Sequence, residues 1–278
     1  MSTVNFSLKV CHEILQPPSF YSPRYHSQLA HEFWLQPKKY RYKTGEEMKV
    51  DFMVGENFTG EFWDLNRHKV EKLEMHAGAI VKNLLKDVKP TAGNNLGYKF
   101  DKEGTHLLGM ESNNAFIEME ADKFNDYLRE DGIENILEER TKSNQLNKPS
   151  KEFYKRFAKL LLQSGSKTDE TFRKRMGFRY EIMPLANPYL LKSGDYLECR
   201  VLWDGKPAPH TLVKVWSHIG NRSFLQDIYT ENDGTIKFPI SNNGPWMVSA
   251  VKMIHSENEG ADYQSLWTSL VFGIEDDK

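Results

Sequence analysis

"DYLECRVLWDGKP", residues 195–207, sets Leu197, Cys199, Val201 and Trp203 on one side and Glu198 and Arg200 on the other, then ends in Asp204-Gly205. Period-two alternation is the pattern of a half-buried strand, and Asp-Gly is a two-residue hairpin turn. The same grammar continues downstream. "TLVKVW" (211–216), "YTENDGTIKFPI" (229–240) with Asp233-Gly234 as a second turn, "SNNGPWMVSAVKM" (241–253) entered through Gly-Pro, and "SLWTSLVFGI" (265–274) all read as strands. Strands at this turn spacing, in a segment the size of one immunoglobulin-like module, predict a small antiparallel sandwich over residues 184–278.

Upstream, "EMKVDFMV" (47–54) alternates Met48, Val50, Phe52 and Val54 against Lys49 and Asp51. "KVEKLEM", "GYKFD", "THLLGMES" and "AFIEME" are shorter candidates, which predicts an N-terminal sandwich over 31–183. Within it the period changes, and helices are expected over about 121–165. "ADKFNDYLRE" spaces Phe124, Tyr127 and Leu128 helically, Asp131-Gly132 interrupts, and Ile133, Ile136 and Leu137 resume. "KEFYKRFAKLLLQSG" (151–165) is expected to be the clearest helix, with Ser150 as its cap, Phe153, Phe157, Leu160 and Leu161 as its face, and Gly165 as its terminator. "MGFRYEIMPL" (176–185) returns to strand. The expected fold class is mainly β: two immunoglobulin-like β-sandwich domains with a helical insertion in or after the first.

Charge and hydropathy exclude some functions. The chain has 37 basic and 39 acidic residues among 278, and no basic run long enough to track a phosphate backbone, so nucleic acid is not an expected partner. The apolar runs, such as Leu160–Leu162, fall far short of the roughly 20 residues of a membrane helix. Two cysteines, Cys11 and Cys199, make no disulfide framework, and Cys199 sits at a core-facing position. Residues 1–30 read as a non-native-looking or disordered tail: His12, Glu13, Pro17, Pro18 and Arg24 interrupt any signal-peptide core, yet "SQLA" before His31 looks like the remnant of a cleavage site.

Catalytic motifs are missing. "HEFWL" and "HEILQ" lack the second histidine of a zinc-protease helix, "QSGSKT" lacks the lysine of a phosphate loop, and there is no G-x-S-x-G elbow. No catalytic residue is therefore expected. Histidine remains, at positions 31, 68, 76, 106, 210, 218 and 255 in the body of the chain. His68, His210 and His255 stand beside charged or turn residues and read as solvated, whereas His106 in "THLLGM" reads as a core histidine. His31 is conditional: as a mature first residue its amine and imidazole can chelate one metal ion together, and as an internal residue its nitrogen is an amide. Among Phe33, Trp34, Tyr40, Tyr42, Phe52, Phe58, Phe62 and Trp63, core packing is the expected use for most. Phe58, Phe62 and Trp63 in "GENFTGEFWD" are the expected exposed ones, where a ligand groove would be lined.

"AHEFWLQPKKY", "KFNDYLREDGI", "EFYKRFAKLLLQSG", "EIMPLANPYLLKSGDYLECRVLWDGKP" and "TENDGTIKFPISNNGPWMVSAVKM" together resemble, over about residues 30–275, a bacterial family of unknown function labelled as the periplasmic component of nickel or cobalt uptake. "DGKPAPHTLVKV" followed by "TENDGTIKF" also resembles transthyretin-like accessory modules of carboxypeptidases and outer-membrane receptors. The resemblance implies export, a mature chain starting at the position of His31, and a transition metal as ligand, nickel or cobalt before copper or zinc. Many members carry a histidine where this chain has Lys252, so that either a ligand is missing here or His255 takes its place. The expectation is therefore a periplasmic or envelope, non-enzymatic protein that captures a metal ion and hands it to a membrane transporter, with His31 as first ligand and His76, His218 or His255 completing the site. Two alternatives stay open: an envelope interaction module that binds protein or glycan without metal, and a metal-dependent hydrolase.

Overall fold

The fold is known from a computed structural model that describes residues 32–275. The chain opens with β1 (Glu32–Pro37), β2 (Arg41–Tyr42), β3 (Glu47–Glu56), β4 (Thr59–Phe62), β5 (Val70–Ala77) and β6 (Ile80–Asn83). It continues through β7 (Leu96–Lys99), β8 (Gly104–Ser112) and β9 (Ala115–Met119) into two helices, α1 (Ala121–Glu130) and α2 (Glu134–Lys142). After them come β10 (Ser150–Ser164), β11 (Tyr180–Pro184), β12 (Tyr196–Trp203), β13 (Lys206–Pro207) and β14 (Leu212–Ile219). β15 (Arg222–Tyr229), β16 (Thr235–Pro239), β17 (Gly244–His255) and β18 (Tyr263–Ile274) complete it. The mainly β, sandwich-like class expected from the sequence is the observed one.

Of the two Asp-Gly turns, Asp204-Gly205 closes a hairpin, whereas Asp233-Gly234 carries the chain from β15 in one sheet to β16 in another. Asp204 and Gly205 both have positive φ, 47° and 75°, and join β12 to β13 as the type I′ geometry requires. Gly234, at φ 76°, turns the chain into β16, and a Cβ there would lie 2.7 Å from the Val201 carbonyl oxygen, so the close backbone approach itself demands glycine.

The helix expected at 151–165 is instead β10, the longest strand. It pairs in parallel with β18 over Glu152–Leu160 and antiparallel with β8 and β9. Its burial explains the misreading. A strand covered on both faces loses its polar-apolar alternation and reads as a continuous apolar run, which periodicity alone does not separate from a buried helix. Gly165 does end the element, with φ 64°.

β10 and β18 are the middle of a ten-stranded sheet in the order β15-β14-β17-β18-β10-β8-β5-β6, with β2 and β9 also paired to β10. Strands from both sides of residue 183/184 thus share one hydrogen-bonded sheet. A four-stranded sheet of β1, β3, β4 and β7 and the α1–α2 hairpin lie over one face: Ser269 Oγ donates to the Phe33 carbonyl (2.6 Å), and Tyr127 stacks on Trp267. The sheet of β11, β12, β13 and β16 lies over the other, where Phe238 stacks on Trp246. One apolar cluster joins all three sheets, from Phe33 to Ile274, and a second, including Phe124, Ile136, Met253 and Trp267, seats the helices.

Candidate functional site

The helical hairpin covers the central sheet through an apolar face, Phe124, Tyr127, Leu128 and Ile136, that the helical spacing of the sequence required. Between α1 and α2, Gly132 takes φ 66°, and a Cβ on it would lie 2.8 Å from Leu212 Cβ. The turn therefore lies against the start of β14, which brings Asp131, the residue closing α1, over Lys214.

Beneath the hairpin runs a buried polar seam. Lys214 Nζ lies 2.5 Å from Asp131 Oδ1 and 3.9 Å from Glu32 Oε1, and all three groups are mostly or wholly buried. Farther along, Glu152 Oε1 accepts from Ser265 Oγ and from Tyr127 Oη (3.4 Å), and Trp267 Nε1 donates to Ser265 Oγ at 3.0 Å. Glu152 Oε2 is buried with no hydrogen-bond partner among the described residues.

Burial sets the protonation of these groups. It pushes the Glu32 carboxyl up to about 7, against the opposing pull of Lys214, and the Glu152 carboxyl up to about 8. Asp131 is raised by the same cause. Burial alone would depress Lys214, but Asp131 and Glu32 outweigh it and hold the ammonium above its ordinary range. The seam thus gathers three buried carboxyl groups with two largely buried cations, Lys214 and Arg156, and burial favours the protonated form of each carboxyl.

A cleft of about 500 Å³ adjoins the seam, lined by Glu134 and Glu138 of α2, by His210 and Leu212, and by Val251 and Met253 of β17. Leu212 and Val251 also border a small hollow that contains Glu32, Asp131 and Lys214, so cleft and seam share a wall.

The histidines read as ligands do not meet there. His76 on β5 bonds Glu74 Oε2 (3.2 Å); His218 on β14 bonds Ser223 Oγ (3.2 Å) and stands edge-on to Phe58. His255, at the far end of β17, bonds Glu139 Oε2 (2.9 Å). Five strand spacings separate β5 from β14, roughly 24 Å, and His255 lies about ten residues along β17 from the level of His218, roughly 33 Å. The sheet order therefore keeps these three imidazoles from ligating one ion together. Among the described residues no group of three or more histidine, cysteine, aspartate or glutamate side chains could hold a metal ion. His31 and the 1–30 tail lie outside the described residues.

His106 is the core histidine expected, with Nδ1 3.1 Å from the Gly104 carbonyl oxygen, and Cys199 is a buried free thiol. His68 is half-buried rather than solvated and stacks on Trp63 with ring centroids 5.1 Å apart. Phe58 and Trp63, expected to be exposed, are core residues, and only Phe62 of the three is open to solvent. Turn-rich sequence suggested exposure, but β1 folds over the loop and its Trp34 and Phe33 take both rings edge-on.

Sequence reasoning did not single out Glu32, Asp131, Glu152 or Lys214. One signal was available. In "TLVKVW", Lys214 shares its phase with Leu212 and Trp216 while Val213 and Val215 fill the other, so a charge stands in a run apolar on both faces.

A family model described as Domain of unknown function (DUF4198) matches residues 29–253. No curated protein matches. Among solved structures, a mutant Salmonella alpha-2-macroglobulin is similar at 11% identity and a TM-score of 0.23, covering 87% of this chain and 15% of its own. The FN1–FN3 domains of chicken CNTN1 are similar at 6% identity and a TM-score of 0.21, covering 89% of this chain and 67% of theirs. Three N-terminal domains of the bacteriophage RB49 outer capsid protein Hoc are similar at 10% identity and a TM-score of 0.19, covering 87% and 59%.

Proposed function

The chain belongs to the family of domains of unknown function DUF4198, and we propose that it is a non-enzymatic binding protein of the bacterial envelope that captures a transition-metal ion, nickel or cobalt, and passes it to a membrane transporter. One observation carries this reading. Glu32, the residue after His31, holds a buried carboxyl at the end of a seam that also contains Asp131, with only Lys214 among the described residues to balance the two. A carboxyl pushed up to about 7 by burial is a group that a cation relieves: the ion replaces the proton and offsets the cost of desolvation. Nickel and cobalt accept mixed nitrogen and oxygen donors. The ligand set is therefore revised, from His31 with distant imidazoles to His31 with the carboxylates of Glu32, its chain neighbour, and Asp131. Capture through few ligands keeps the ion exchangeable, as hand-off requires.

Calorimetric titration of nickel, cobalt, copper and zinc into the full chain and into a chain whose first residue is His31 tests this. Micromolar or tighter binding is expected in the shortened chain alone, because only there does His31 carry a free amine. His31→Ala is expected to weaken it at least tenfold, about 1.4 kcal/mol. Unchanged affinity in that variant removes His31 from the site.

A second reading, a metal-independent interaction module, is favoured by β15. This strand forms one edge of the ten-stranded sheet and leaves Phe224, Leu225 and Tyr229 open to solvent. Absence of metal binding in both chains would move the assignment to it.

A further inference from the structure

Beyond Ser249, β17 loses a neighbour. Its register with β18 runs from Gly244 to His255, but its register with β14 covers only Trp246–Ser249. Ala250–His255 are therefore held as a strand from the β18 side alone, and the cleft of about 500 Å³ lies where β14 would have continued. Six residues of open strand edge extend roughly 20 Å and present N–H and C=O groups at alternate positions.

The walls of the cleft determine what fits. α2 contributes Glu134, whose carboxylate meets Tyr229 Oη at 3.5 Å and has no cationic partner among the described residues. One turn on, Glu138 has, among the described residues, only the exposed pair with Lys142. Asn135 and Glu138 also line a shallower hollow that prolongs the cleft along α2. The open edge lies between the helix and the Pro209–Leu212 segment, both of which line the cleft, so the space takes a single extended chain rather than a flat surface.

We propose that this cleft binds an extended peptide as an added strand, antiparallel to β17 in the position β14 vacates, with a lysine or arginine side chain directed at Glu134. Main-chain hydrogen bonds to Ala250–His255 supply affinity, and the α2 carboxylates select the basic side chain. The cleft is of the size of ordinary ligand sites.

The test uses the full chain and a fluorescein-labelled hexapeptide of alternating lysine and valine, followed by fluorescence anisotropy. Expected are saturable binding, at least tenfold weaker binding of the glutamate–valine counterpart, and loss of binding when alternate peptide nitrogens are methylated. Glu134→Gln is expected to weaken binding at least fivefold with the thermal midpoint unchanged, and Glu134→Lys more. Amide hydrogen exchange should slow at alternate residues of 250–255 when the peptide is present. No saturable binding, equal binding of the methylated or the acidic peptide, or protection elsewhere in the chain would overturn the assignment.

Discussion

Glu152 shows how far one residue can depart from what its letter suggests. In sequence it is one charge among many in "SKEFYKRF"; in the fold it is a carboxyl 2% exposed, hydrogen-bonded to Ser265 and Tyr127 and pushed up to about 8 by burial. The folded chain therefore keeps a proton that the unfolded chain releases near 4.5. The stability this group contributes is complete below that value and is lost as pH rises through about 8. Glu152→Gln stays neutral and keeps an acceptor for Ser265. Its urea midpoint is expected to fall less than that of the wild type between about pH 5 and about pH 9, with a residual slope from Glu32 and Asp131, which burial raises in the same direction. Parallel slopes in the two proteins would contradict the buried carboxylic acid.

At the scale of elements, β10 is the strand on which the three sheets depend, and its other face holds a second buried pair. Lys159 Nζ lies 2.9 Å from Glu181 Oε1 of β11, with neither side chain exposed by more than 1%. Glu181 Oε1 also accepts from the Met176 amide at 2.7 Å. Lys159→Met leaves the carboxylate buried without its cation and is expected to cost about 3–5 kcal/mol. The double variant Lys159→Met with Glu181→Leu is expected to recover most of that, apart from about 1–3 kcal/mol for the Met176 N–H left without an acceptor. Equilibrium denaturation of the single and double variants gives the coupling. This pair also accounts for the misread element: Lys159 and Glu152 are charges in a strand buried on both faces, so β10 carries no clean period two.

For the whole molecule, the question is whether the halves separated at residue 183/184 behave as units. The parallel β10–β18 register joins Glu152–Leu160 to Tyr263–Val271, and the apolar cluster runs continuously from Phe33 to Ile274. Unfolding either half exposes apolar surface in the other, so one cooperative calorimetric transition is expected, with calorimetric and van't Hoff enthalpies equal. Two resolved transitions would show that each half holds its own core.

What the amino-acid sequence determined by itself is the local part of the protein. Strand alternation, the two Asp-Gly turns, the two short helices around Asp131-Gly132 and the buried Cys199 and His106 depend on neighbours a few positions away, and all were legible. The tertiary structure alone decided the rest. β10 is a strand because β8, β9 and β18 pair with it, against the helical spacing of its own apolar residues. The polar seam exists because Asp131 meets Lys214 across 83 positions and Glu152 meets Ser265 across 113. The same sheet order that assembles this seam keeps His76, His218 and His255 apart. Protonation and ligand geometry depend on desolvation and on distances between remote segments, and neither is a property of a residue's sequence neighbours.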